Sequence, residues 1–201
     1  MSTDRRVRIV AGAIELIATQ GIRALTHRAV DTRLALPPGS TSYYFRTRQA
    51  LIEAVADGIT ARSRSDFLAA QREFANRQSL DPAQVARDIA TWLAQLLTHR
   101  RNELIARHAL IIEVLSDPEL HARLAGSLFS LDRATALFDA LGAVDPRASA
   151  RDFLALLEGL VFDRFAGLRA GSAADVDQLA RPLADFLTSG RNYQPCQPNS
   201  E

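Results

Sequence analysis

Apolar residues recur at three- and four-residue spacing along almost the whole chain, and no segment keeps the alternation of a strand, which predicts an all-α fold. The first helix is expected from about Thr3 to Thr19, with Ile9, Ala13, Leu16 and Ile17 as its apolar stripe. Gly21 should end it as a left-handed C-terminal residue. Thr26 caps a second helix reaching about Leu34, where Pro37-Pro38 forbids continuation. A short third helix covers about Pro38 to Tyr44, and Thr47 caps a fourth that starts RQALIEAVADGI and extends past Phe67 toward Phe74.

Further along, the helices lengthen. Asp-Pro pairs mark starts, with Asp as the cap and Pro in the first turn. Asp81-Pro82 opens a helix reading through Trp92 and Leu97, Asp117-Pro118 one reaching about Leu141, and Asp145-Pro146 one reaching about Ala170. Between them, about Asn102 to Leu115 forms a helix containing the run ALIIEVL, and the last helix runs from about Ala174 to Thr188. The organisation expected is a three-helix head over 1–47, a helical body over 48–189, and a polar, disordered tail over 190–201.

The stretch from Leu25 to Leu51 gives the head its chemistry. Two short helices are separated by a tight break, and the second carries hydroxyls and two tyrosines but almost no charge. Arg46 and Arg48 follow it. Such a unit fits a DNA major groove, the polar helix meeting base edges and the arginines meeting phosphates. The charge distribution agrees. Overall net charge is +1, but residues 1–48 hold eight arginines against three acids, whereas residues 49–201 hold sixteen arginines against twenty acids. The chain has no lysine; arginine suits bidentate contacts to phosphate and guanine, and a GC-rich genome gives the same bias.

Composition narrows the class. A hydrophobic share of 47% is that of a chain with a real core. The N-terminal stretch carries charges within its apolar run, so it does not read as a signal peptide, and no run approaches the ~20 apolar residues that span a bilayer. The lone Cys196 allows no internal disulfide, and with these features a cytoplasmic, membrane-free protein is expected. No metal or cofactor site is expected: His27, His99, His108 and His121 lack metal-ligand spacing, and neither a Gly-rich phosphate loop nor a nucleophile turn occurs.

The amphipathic first helix, the Gly21 break, the Leu25-Thr26 start, the segment Gly39-Ser40-Thr41-Ser42-Tyr43-Tyr44-Phe45 and the closing Thr47-Arg48 with Ala50-Leu51 resemble the DNA-binding domain of the TetR family of bacterial transcriptional regulators. The resemblance implies a helix-turn-helix head and a C-terminal domain that binds ligand and dimerises. It assigns DNA contacts to Thr26, His27, Arg28, Pro38, Gly39, Ser40, Ser42, Tyr43, Tyr44 and Arg48. Thr26 offers a hydroxyl and a helix N-terminus to phosphate, and Arg48 stands where the family commonly has Lys. Tyr44 has two readings, DNA contact or packing on the first helix; His27 is likewise open. Arg5, Arg6 and Arg8 read either as a DNA-reaching arm or as an exposed, mobile terminus. Phe45, Leu34, Val30, Leu51 and Ile14 read as the core fixing the helix angles. Departures from the family pattern are Thr41 for Leu, Ser42 for Tyr, Tyr44 for His, Ala35 where Gly is frequent, and Asp31 at a usually small site.

For the body, the resemblance implies a homodimer through the helices over 145–170 and 174–188. Phe153, Leu156, Leu157, Leu160, Val161 and Phe165 spread apolar surface around more than one face, which must be buried twice. A single short reading helix also covers too few base pairs, so a two-fold dimer on a palindromic operator follows. Effector-pocket residues are Trp92, Leu96, His108, Ile112, Glu113, Phe129, Phe138 and Phe162; the apolar ones have ordinary core as their other reading, and His108 a satisfied buried histidine. The expected function is a repressor released from double-stranded DNA by a small molecule; a helical enzyme or a protein-binding adaptor without DNA activity is the alternative.

Overall fold

The structure is a computed structural model that describes residues 2–74 and 81–189. The expected tail over 190–201, with Cys196 in it, lies outside the described residues. Among the described residues there are helices and no strand. In chain order the helices are α1 (Ser2–Gln20), α2 (His27–Arg33), α3 (Ser40–Tyr44), α4 (Arg48–Phe74), α5 (Pro82–His99), α6 (Arg101–Glu113), α7 (Pro118–Ala125), α8 (Leu131–Ala140), α9 (Pro146–Asp163) and α10 (Val176–Ser189). They fall into two compact units, one of residues 1–72 with 100–128 and the other of residues 73–99 with 129–201.

The first unit is built around α1. Its stripe of Ile9, Ala13, Leu16 and Ile17 is buried against Val30 of α2, Phe45, the α4 residues Leu51, Ile52, Val55 and Ile59, and Ala106, Leu110, Leu120 and Leu124 of α6 and α7. Two glycines allow close approach. A Cβ on Gly12 would sit 2.9 Å from the Leu34 side chain, and one on Gly58 2.8 Å from Val10. Each large apolar side chain buried here contributes about 1.5–3 kcal/mol. A surface ion pair such as Arg123–Asp57, at 2.9 Å, adds no more than about 1 kcal/mol, so the apolar core holds the unit together.

Capping residues set the helix starts where the sequence placed them. The Thr26, Thr47, Asp81, Asp117 and Asp145 side chains accept the N–H groups of Ala29, Ala50, Gln84, Leu120 and Ala148. Three helix ends differ from expectation. Gly21 has φ 84° and ψ 165°, an extended positive-φ conformation open in practice only to glycine, and not the left-handed helical one. The helix opened by Asp117-Pro118 stops at Ala125 and does not reach Leu141. Its terminal carbonyls are taken by the buried Arg107 guanidinium, which donates to Leu124 O at 3.1 Å and Ala125 O at 3.0 Å, and Ser130 caps a separate α8. The Asp145-Pro146 helix stops at Asp163, short of Ala170. There Arg164, itself buried, draws the following turns back by donating to Ala173 O, and Gly171 takes a positive φ.

In the second unit, α10 packs on α5 and α8 on α9. Leu179, Leu183 and Leu187 form the buried stripe of α10. Phe138, Phe153 and Phe186 make an aromatic cluster with centroid separations of 5.5 to 6.0 Å.

Among the described residues, Ala35 is the non-glycine residue with positive φ, at 51°, between α2 and the Pro37-Pro38 pair. A Cβ in the left-handed region costs roughly 1–2 kcal/mol. Ala35→Gly is therefore expected to raise the melting temperature by about 2–4 °C in a circular dichroism melt.

Candidate nucleic-acid interface

The approach to α3 is a type II turn. Ser40 N–H donates to Pro37 O at 3.1 Å, Pro38 takes the second position, and Gly39 the third with φ 87° and ψ −3°. The left-handed Gly39 cannot be part of a right-handed helix, so α3 starts at Ser40 and not at Pro38.

Five residues supply few bonds of their own, and side chains from other helices hold both ends of α3. At its N-terminus, the buried Asp31 carboxylate accepts Gly39 N–H at 2.9 Å, Thr41 N–H at 2.8 Å and the Thr41 hydroxyl at 2.6 Å. At its C-terminus, Arg6 donates to Tyr44 O at 3.2 Å with its guanidinium over the Phe45 ring, and His27 Nε2 lies 2.6 Å from Phe45 O. That ring nitrogen carries a proton, because a carbonyl only accepts. An anion at the N-terminus and a guanidinium at the C-terminus both complement the helix dipole.

Held this way, α3 turns a defined set of groups outward. Tyr43 is 80% exposed, with Ser42, Pro38 and Gly39 also on the surface. The Ser42 hydroxyl donates to Gly39 O and that of the half-buried Ser40 to Pro37 O. Tyr44 is half-buried and meets Tyr43 edge to face at 5.1 Å. Thr41 is buried and lies on the inner face. Thr26, Arg28, Arg46 and Arg48 are exposed, whereas His27 is half-buried. Arg48 donates to Glu113 of α6 at 2.9 Å and to Ile22 O at 3.2 Å.

Arg5, Arg6 and Arg8 all lie within α1, and are neither an extended arm nor a disordered terminus. Asp31 and Arg6 hold α3, yet the sequence singles out neither for this. The available signal is that both Asp31 and Thr41 depart from the family pattern, Asp31 at a usually small site and Thr41 in place of Leu.

The eight effector-pocket residues divide between the units. Trp92, Leu96, Phe129, Phe138 and Phe162 are in the second; His108, Ile112 and Glu113 are in the first. Trp92 and Phe129 come together at 6.0 Å, and Phe138 joins the aromatic core. Phe162 is exposed beside Phe165. His108 Nδ1 bonds to Leu104 O, Ile112 is exposed, and Glu113 is paired with Arg48. Among the described residues, no group of three or more His, Cys, Asp or Glu could hold a metal ion, and no helix is long and apolar enough to cross a membrane.

Residues 9–55 match the family model of bacterial regulatory proteins of the tetR family, and residues 80–189 match that of the tetracyclin repressor-like C-terminal domain. No functionally curated protein matches the chain. Among solved structures, a TetR-family member from Streptomyces coelicolor is 24% identical, with 91% of this chain and 98% of that one covered and a TM-score of 0.70. The multidrug binding protein EbrR, crystallised with imidazole, is 24% identical over 90% of this chain and 94% of its own, with a TM-score of 0.62. A TetR-family regulator from Mesorhizobium loti shares only 16% identity, yet reaches 0.71 over 94% and 97% of the two chains. Head and C-terminal helices thus match one family in sequence as in fold, and the chain belongs to the TetR family of bacterial transcriptional regulators.

Proposed function

We propose that the protein is a homodimeric repressor that binds a palindromic operator and is released by a small apolar effector. The observation that carries the DNA part is the outward row of α3: Ser42 and Tyr43 exposed on a helix hydrogen-bonded from outside at both ends, with Arg28 and Arg48 exposed on the helices to either side. Base edges fall to the first pair and phosphates to the second. Thr26, Pro38, Gly39, Ser40, Tyr44 and His27 complete the contact surface. Selection of bound fragments from genomic DNA tests this directly: a palindrome is expected, and failure to enrich any site at moderate salt would remove the regulator reading.

Arg48 has two anionic partners in this mechanism. In the free protein it holds Glu113 across a half-exposed pair, worth no more than about 1 kcal/mol. A DNA phosphate displaces a carboxylate held so weakly. Effector binding in the body then tilts α4 from Arg48 onward and changes the separation of the two heads.

Dimerisation is assigned to α9 and α10. The outer face of α9 presents Ala155, Gly159 and Phe162 at four- and three-residue spacing, all exposed, and a Cβ on Gly159 would meet nothing within 4 Å. This is a flat strip against which a second helix can pack. The exposed side of α10 (Asp177, Gln178, Arg181, Asp185) is polar and forms the rim. The effector is placed beside Trp92, Leu96 and Phe129, where two aromatic rings already meet edge to face. EbrR, of the same fold, has been crystallised with ethidium and with proflavin, which supports planar aromatic compounds as the first class to screen.

Three outcomes are expected. Arg48→Ala lowers the slope of log affinity against log salt by about one, and Glu113→Gln raises DNA affinity several-fold; unchanged binding in both would take Arg48 off the phosphate. Gly159→Glu shifts a dimer toward monomer in light scattering, and a wild-type monomer at micromolar concentration would end the dimer assignment. Trp92 is the sole tryptophan, so any compound that releases DNA should change its fluorescence; a releasing compound that leaves the emission untouched binds elsewhere.

A further inference from the structure

We infer that Asp31 is the positioning residue for base readout: its carboxylate sets how α3 presents Ser42 and Tyr43, and thereby which bases the protein prefers. This rests on the DNA-reading role proposed above for α3. A helix of five residues is little more than one turn and has no stable orientation of its own. Asp31 reaches it from α2 and grips it with both oxygens. Oδ2 takes Gly39 N–H, while Oδ1 takes Thr41 N–H and the Thr41 hydroxyl. A single bond would let the first turn pivot; two points of attachment two residues apart fix its rotation about the helix axis as well as its tilt. Asp31 is 4% exposed and Thr41 is fully buried, so water does not replace these partners.

The readers follow directly on the gripped residues. Ser42 and Tyr43 come straight after Thr41 and face outward, so a rotation of α3 sweeps both across the base edges. Base-edge hydrogen bonds lose strength over small changes in angle and distance. The arginines assigned to phosphate stand on α2 and α4, which Asp31 does not hold in this way. Loss of the grip should therefore cost base discrimination while leaving the phosphate contacts in place. A purely structural role predicts a different result, a fall in the amount of folded protein with the preferences of the remainder unchanged.

The test uses the full chain, the DNA it selects from a random pool, and single-base variants of that DNA at several salt concentrations. Asp31→Asn keeps the shape of the side chain but cannot accept at both oxygen positions; Asp31→Ala removes the grip. Both are expected to lose about tenfold or more in discrimination between the selected site and its variants, with the salt slope unchanged. Asp31→Ala combined with Thr41→Leu fills the buried site with apolar surface. That double variant removes the Thr41 hydroxyl together with its partner and should recover part of the melting temperature without recovering the wild-type base preference, and it carries the comparison should Asp31→Ala alone not fold. A folded Asp31 variant with wild-type base preference overturns the inference, as does a loss equal for all sequences accompanied by a flattened salt slope. If the wild-type protein selects no DNA, the DNA-reading role itself falls and this inference with it.

Discussion

The reading head depends on one buried carboxylate. Asp31 satisfies the first N–H groups of a helix too short to satisfy or orient itself, and it does so from a neighbouring helix already fixed in the α1 core through Val30. The orientation of α3 thus derives from α2, and that of α2 from the apolar stripe of α1. Charge at the site is arranged along the same line, negative where the dipole of α3 is positive and positive where it is negative.

Elsewhere in the chain the same device recurs with the opposite sign. Arg107 closes α7 by taking its last carbonyls, and Arg164 holds the turn after α9 by donating to Ala173 O. In each case a charged side chain from outside the segment supplies partners for backbone groups that no helix continues to bond. Breaking such a contact leaves a buried polar group unpaired, which costs more than the bond itself contributes. Arginine is well suited to these positions, since its donors fork to two carbonyls at once.

This pattern also explains what could be read from the sequence. The α1 stripe, the Thr26 and Thr47 caps and the Asp-Pro starts were legible because each depends on residues within one turn of itself. The breaks after Ala125 and Asp163 were not legible: α7 ends through Arg107, contributed by α6, and the turn after α9 closes nine residues downstream of Arg164. The site divides in the same way. Tyr43 and Ser42 were legible as outward groups on a short polar helix. Asp31 read only as a departure from pattern, because its meaning lies in a contact ten residues ahead. Arg6 read as terminal, and its place under Tyr44 and Phe45 depends on the packing of α1.

The division of the chain has a consequence for biosynthesis. The first unit takes residues 1–72 and then, after an excursion into the second unit, residues 100–128. Ala106, Leu110, Leu120 and Leu124 complete the core around α1. On the ribosome, therefore, the N-terminal helices emerge with an apolar flank that has no cover until α6 and α7 have followed. Folding of the first unit is therefore completed only after residue 128 has emerged, long after its own N-terminal helices.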